Sequence, residues 1–125
     1  MYKHILIPTD GSELSERAVR EGIDLASVVN ARVTLLTSSM PFHVFATDGM
    51  VLSDTPQKYA EDTERRAAQR LKSGEDYARS KGVPFAIKHV FPEHPYEAIV
   101  DVTRAANCDL ICMASHARRG MAGVL

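Results

Sequence analysis

The sequence predicts an α/β fold, an open and mostly parallel sheet with helices on both faces. Three observations point there. Short apolar runs alternate with amphipathic stretches from the first residue on, in the order βαβαβαβ, which implies parallel strands joined by right-handed crossovers. The first and fourth runs are the most apolar, as central strands covered on both faces are. At 125 residues, with 45% hydrophobic and 25% charged residues, the chain suits one domain with a real core and is too apolar for disorder.

Lys3-His4-Ile5-Leu6-Ile7-Pro8 is an apolar run stopped by proline, the first strand. Asp10-Gly11-Ser12 supplies turn chemistry and Ser12 the cap of a helix. Leu14, Ala18, Val19, Gly22, Ile23, Ala26 and Val29 form its apolar face, and Asn30 closes it. Arg32 to Thr37 is the second strand. Residues 39–54 lack a period and contain Pro41, Gly49 and Phe42-His43-Val44-Phe45, so they read as a long, mobile loop bordering the site.

Thr55 caps, and Pro56 opens, a polar helix that runs to about Lys81 and stops at Gly82. Its sparse apolar marks, Tyr59, Ala67, Leu71, Tyr77 and Ala78, make it half-exposed. Arg65, Arg66 and Arg70 alternate with Glu61, Asp62 and Glu64, which reads as a solvated face. Phe85 to Phe91 is the third strand. Pro95 begins a helix with Ala98, Ile99, Val102 and Ala106 inward, ending near Asn107. Asp109 to Ala114 is the fourth strand, and Ser115 to Gly120 is the loop that follows.

A net charge of −1 and a pI near 6.5 lack the basic footprint of a nucleic-acid binder. No apolar run approaches the roughly 20 residues needed to span a bilayer, and no signal peptide opens the sequence, so the reading is cytoplasmic, without nucleic-acid or membrane partners. Cys108 and Cys112, four apart in an extended run, would place their Cα atoms roughly 13 Å apart, too far for a disulfide. Their spacing with His116 or His89 does not suggest a metal.

If the first and fourth strands are adjacent, the sheet order reverses between them. Ligands of open α/β sheets bind at that point, beyond the carboxyl ends of the strands. Two loops meet there, Thr9 to Ser12 and Ser115 to Gly120. Asp10 either contacts a ligand or forms an Asx turn that caps the helix; Pro8 and Thr9 flank it, Thr9 in the more structural role. Ser115-His116-Ala117-Arg118-Arg119-Gly120 offers backbone N–H groups and two guanidiniums, suited to phosphate or to an ordinary solvated turn. Neither G-x-x-x-x-G-K-[ST] nor G-x-G-x-x-G occurs. His43, His89 and His94 lack spaced partners and read as surface or turn residues. Glu93 and Asp109 read as caps. No Ser-His-Asp constellation is legible in the order of residues, so no catalytic residue is assigned.

The opening Tyr2-Lys3-His4-Ile5-Leu6-Ile7-Pro8-Thr9-Asp10-Gly11-Ser12 and the later Asp109-Leu110-Ile111-Cys112-Met113-Ala114-Ser115-His116 resemble the universal stress protein family, and the order of elements agrees over essentially the whole chain. The resemblance implies an adenine nucleotide alpha hydrolase-like sheet of order 3-2-1-4-5, usual dimerisation, and either ATP-binding or non-binding behaviour. It implies one domain, 1–125, whose further helix and fifth strand would lie beyond Leu125. The implied ligand is an adenine nucleotide, ATP (with Mg²⁺) or AMP, held as a regulatory ligand in the stress response with at most weak hydrolysis. Asp10 would serve the adenosine end, Ser38 the base, and Met113 to Ala117 with Arg118 the phosphates. Ala114 and Ala117 stand where the ATP-binding group has glycines. An alanine forced to positive φ costs about 1 kcal/mol or more, which weakens ATP binding and keeps open the alternative, a dimerisation or interaction module that binds no nucleotide.

Overall fold

The computed structural model describes residues 1–47 and 55–115. Its elements are β1 (His4–Pro8), α1 (Glu13–Val29), β2 (Arg32–Ser38), α2 (Phe42–Thr47), α3 (Pro56–Ser80), β3 (Phe85–Val90), α4 (Pro95–Ala105) and β4 (Leu110–Ile111). The four strands form one sheet in the order β3-β2-β1-β4. All three pairings are parallel, with Ile5 beside Val33 and Leu110, and Thr37 beside His89. The expected reversal of strand order therefore lies between β1 and β4.

Burial on both faces explains the apolar run in β1: Ile5, Leu6 and Ile7 are completely buried. Ile5 and Ile7 face α1 and α3, in a core with Val19, Ile23, Val33, Leu35, Leu71 and Ala78. Leu6 and Leu36 face the other way and pack with Ile99 and Val102 of α4. Gly22 lets α1 approach the sheet closely, since a Cβ there would come 2.6 Å from Ile7 Cδ1.

Four of the caps are those the sequence predicts. Ser12 and Thr55 accept hydrogen bonds from the N–H groups of Ser15 and Lys58, and Asn30 ends α1 in the left-handed conformation. Gly82 takes φ +68° just past the end of α3.

Three expectations need correction. The segment 39–54 is not all loop, because Phe42–Thr47 forms α2. Phe42 and Phe45 pack on Tyr59 of α3, with ring centroids 5.5 and 4.6 Å away. Residues 48–54 lie outside the described residues. The fourth strand is two residues long, not six, and forms an edge of the described sheet. The second strand takes the central place expected of the fourth, because β1 and β3 pair with its two sides.

A crevice at the strand ends

At the carboxyl end of β1 the chain turns sharply into α1. Thr9 continues the ladder by donating its N–H to Leu36 O at 2.8 Å. Its hydroxyl is buried against Ser15 Oγ at 2.9 Å and accepts from Gly11 N at 3.1 Å. Asp10 Oδ1 accepts from Ser12 N at 2.9 Å and from Ser15 Oγ at 2.8 Å. The Asx-turn role is thus present, and it fixes the carboxylate at the mouth of a crevice.

That crevice has a volume of about 220 Å³. Pro8 lines it from the end of β1, Thr9 and Asp10 from the turn that follows, Leu36 and Ser38 from β2, Ala98 and Ile99 from α4, and Met113 and Ala114 from beyond β4. The walls are largely apolar, with Asp10 and the hydroxyl side chains of Thr9, Ser15, Thr37 and Ser38 as polar points, the arrangement common in small-molecule pockets. Six of the residues expected from the sequence, Pro8, Thr9, Asp10, Ser38, Met113 and Ala114, come together here. Ser115 is exposed beside them. His116, Ala117 and Arg118 lie outside the described residues.

The wall from α4 escaped the sequence reading. Ala98 and Ile99 were legible only as inward-facing residues of a helix, and nothing in their spacing says that they stop short of closing the space over Leu36.

A second cluster lies beside the crevice, on the α3 side of the sheet. His89 Nε2 is 2.8 Å from Ser39 Oγ, and its Nδ1 is 3.0 Å from Glu64 Oε1. The His89 side chain is 7% exposed, so the expectation of an unpartnered surface histidine fails. Arg70 departs from the expected solvated face as well. It donates to Ser39 Oγ at 3.3 Å and lays its stem over Gly11, where a Cβ would come 2.8 Å from Arg70 Cγ. Arg65 does pair with Asp62 on the surface, at 2.6 Å.

His43 Nε2 lies 2.6 Å from Glu93 Oε2, both largely exposed, so Glu93 is a side-chain partner of His43 rather than a cap. His94 precedes α4 without a side-chain capping bond. Asp109 does act as a cap: its carboxylate accepts the backbone N–H groups of Lys3 and His4 at 3.0 Å each. Those bonds, that from His4 first, hold the Asp109 carboxyl below its ordinary range. Cys108 and Cys112 are half-buried free thiols, both pushed up in pKa mainly by burial. Among the described residues no three His, Cys, Asp or Glu side chains gather as a metal site, and no helix is long and apolar enough to cross a membrane.

The profile of the universal stress protein family matches residues 1–125, the whole of this sequence. The chain belongs to that family. A universal stress protein family structure from Burkholderia pseudomallei superposes with a TM-score of 0.77 at 21% identity, covering 96% of this chain and 86% of that one. The universal stress protein of Archaeoglobus fulgidus in complex with dAMP gives 0.60 at 18% identity, covering 88% and 78%. A family member from Arabidopsis thaliana with AMP bound gives 0.66 at 11% identity, covering 90% and 76%. At such identities the likeness establishes the shared fold. No curated protein matches the chain significantly. In this universal stress protein fold the crevice described above sits at the reversal of strand order.

Proposed function

We propose that the chain binds an adenine nucleotide in the crevice between β1 and β4, as a regulatory ligand of a cytoplasmic stress response. The observation that carries this reading is the convergence of Asp10, Ser38 and an apolar slot at the reversal of strand order. The slot is smaller than the roughly 300–1,000 Å³ of sites that enclose a whole drug-sized ligand. It suits the base and ribose, with Leu36, Ile99 and Met113 against the ring, Asp10 accepting from ribose hydroxyls, and the phosphates directed toward Ser115. Mg²⁺ accompanying ATP would be held chiefly by the phosphates, with Asp10 as the protein carboxylate at hand. Family members with AMP and dAMP bound support the choice of ligand class.

Ala114 lines the crevice where the ATP-binding group has a glycine, and its added methyl favours AMP over the longer phosphate chain of ATP; its backbone is not left-handed, so the expected strain does not arise. The same residue supports the second reading, a dimerising module without nucleotide. Mass spectrometry of the purified protein for retained nucleotide, followed by calorimetric titration with AMP and ATP, separates them. Saturable AMP binding supports the first reading. No heat and no retained nucleotide, with a concentration-dependent dimer, supports the second.

A further inference from the structure

Ser39, His89 and Glu64 form a continuous hydrogen-bonded array that the nucleotide reading does not use. The direction of its bonds follows from donor inventory alone. A carboxylate only accepts, so the proton between Glu64 Oε1 and His89 Nδ1, 3.0 Å apart, belongs to the imidazole. In the neutral ring Nε2 is then an acceptor, and the Ser39 hydroxyl 2.8 Å away donates to it. Arg70, which only donates, completes the row by giving an N–H to Ser39 Oγ at 3.3 Å. The serine hydroxyl thus donates to the imidazole on one side and accepts from a guanidinium on the other. Both distances on the histidine fall within the about 2.6–3.2 Å of a working nucleophile–base–orienter set. The array stands at the carboxyl ends of parallel strands β2 and β3, and its chain order, Ser then Glu then His, is the one α/β-hydrolases use.

The buried Nε of Arg70 has no hydrogen-bond partner among the described residues; the contact with Ser39 is made by a terminal nitrogen of the guanidinium. Beside the array, the Phe91 ring lies against that of His89, centroids 4.6 Å apart and tilted by 44°, and is 39% exposed, and Met40, next to Ser39, is 45% exposed. They offer an apolar ledge for an acyl group.

We propose that Ser39 is an activated nucleophile toward small carboxylic esters with apolar acyl groups, with His89 as general base and Glu64 as the positioning residue for His89. Ser39 Oγ attacks the ester carbonyl carbon while its proton passes to His89 Nε2. The carbonyl electron pair moves to oxygen, where Arg70 faces the developing negative charge. Collapse breaks the bond to the alkoxide, which takes the proton from His89 and leaves as the alcohol. Water then attacks the acyl-serine, giving its proton to His89, and the carboxylic acid departs as the Ser39 hydroxyl is restored. Ester and water become acid and alcohol, with no other reactant.

The test uses the whole chain with 4-nitrophenyl butyrate and, separately, a fluorophosphonate. The fluorophosphonate should form a P–O bond at Ser39 with loss of fluoride, located by mass spectrometry of the peptides. Hydrolysis should fall about 100-fold or more in Ser39→Ala and His89→Gln. Glu64→Gln should lower kcat about tenfold with KM unchanged; its side chain is 66% exposed, so this variant keeps the test independent of folding. Circular dichroism and urea midpoints verify that each variant is folded. Label on other residues or none, hydrolysis no faster than with free imidazole, or a full rate in folded His89→Gln would each overturn the proposal. Neither probe reports on nucleotide binding, so the outcome is separate from that of the crevice.

Discussion

The stem of Arg70 lies directly against the backbone of Gly11, closing the turn that leads from β1 into α1. A Cβ at Gly11 would sit 2.8 Å from Arg70 Cγ and 3.0 Å from Cδ, and the residue holds φ at +84°. Two separable penalties meet at one position. Gly11→Ala should destabilise the chain by about 2 kcal/mol, of which about 1 kcal/mol is backbone strain. Adding Arg70→Ala to Gly11→Ala should recover the steric part only. Urea unfolding of the two single variants and the double variant measures both; complete recovery would mean that the turn adapts to a side chain without strain.

Gly22 poses a different case, since it lies within a helix where alanine is favoured by about 1 kcal/mol. The Cβ of alanine would come 2.6 Å from Ile7 Cδ1 and 3.2 Å from Cys112 Sγ. Gly22→Ala should therefore cost about 1–3 kcal/mol by overpacking. Ile7→Val removes the nearest atom, so the double variant should be more stable than the sum of the single effects predicts. Strict additivity would place the clash elsewhere.

Asp10→Asn separates the two roles of that residue. The amide oxygen can still accept from Ser12 N and Ser15 Oγ, the two bonds that shape the turn. Stability should change by less than about 0.5 kcal/mol. Affinity for AMP should fall about tenfold, through loss of a charged acceptor to the ribose. Unchanged affinity would remove Asp10 from the nucleotide site.

Two groups give the protein a dependence on pH with one sign. Burial first, and the Arg32 charge second, lower the pKa of His4 from 6.5, against smaller opposing effects of Ala106 and Asp109. The unfolded chain then binds more protons below pH 6.5, and stability falls as the pH drops through that window. Asp109, depressed below 3.8 by the N–H groups of His4 and Lys3, adds stability that is present above that value and lost as the pH falls through the folded one. Urea midpoints from pH 7 to 3 should decline in two stages. His4→Gln should flatten the first and Asp109→Asn the second; a rise in wild-type stability between pH 6.5 and 5 would refute the assignment.

Tyr59 ties α2 to the body of the domain. Its hydroxyl donates to Met40 O, and its ring meets Phe42 and Phe45. Tyr59→Phe keeps the ring contacts and should cost about 1 kcal/mol, with faster amide exchange confined to residues 40–47. Uniformly faster exchange would show that the contact supports the core instead.

What was legible in the sequence divides by range of interaction. β1 could be read because burial on both faces leaves a continuous apolar run before Pro8. Ser12, Asn30, Thr55 and Gly82 could be read because a cap is set by its immediate neighbours. α2 could not: six residues are too few for a period, and its support comes from Tyr59 of another helix. The apolar run 109–114 overstated β4 because hydropathy does not set paired length: only Leu110 and Ile111 face Ile5 and Leu6, although β1 runs on to Pro8. The crevice followed from topology, which places Asp10 near Ala114. Ser39, His89 and Glu64 stayed invisible because their meeting depends on the register of β2 with β3 and on the path of α3 across it.

The placement of β1 has a consequence for synthesis. This strand is made first, yet one of its sides pairs with Leu110 and Ile111, more than a hundred residues later. While the ribosome completes the intervening chain, β2 can cover one side and α1 can dock, but the other side keeps bare N–H and C=O groups beside Ile5, Leu6 and Ile7. Such an edge is a template for a stray strand. The nascent protein is therefore most adhesive just before Leu110 emerges, and a holding chaperone would have its greatest value then.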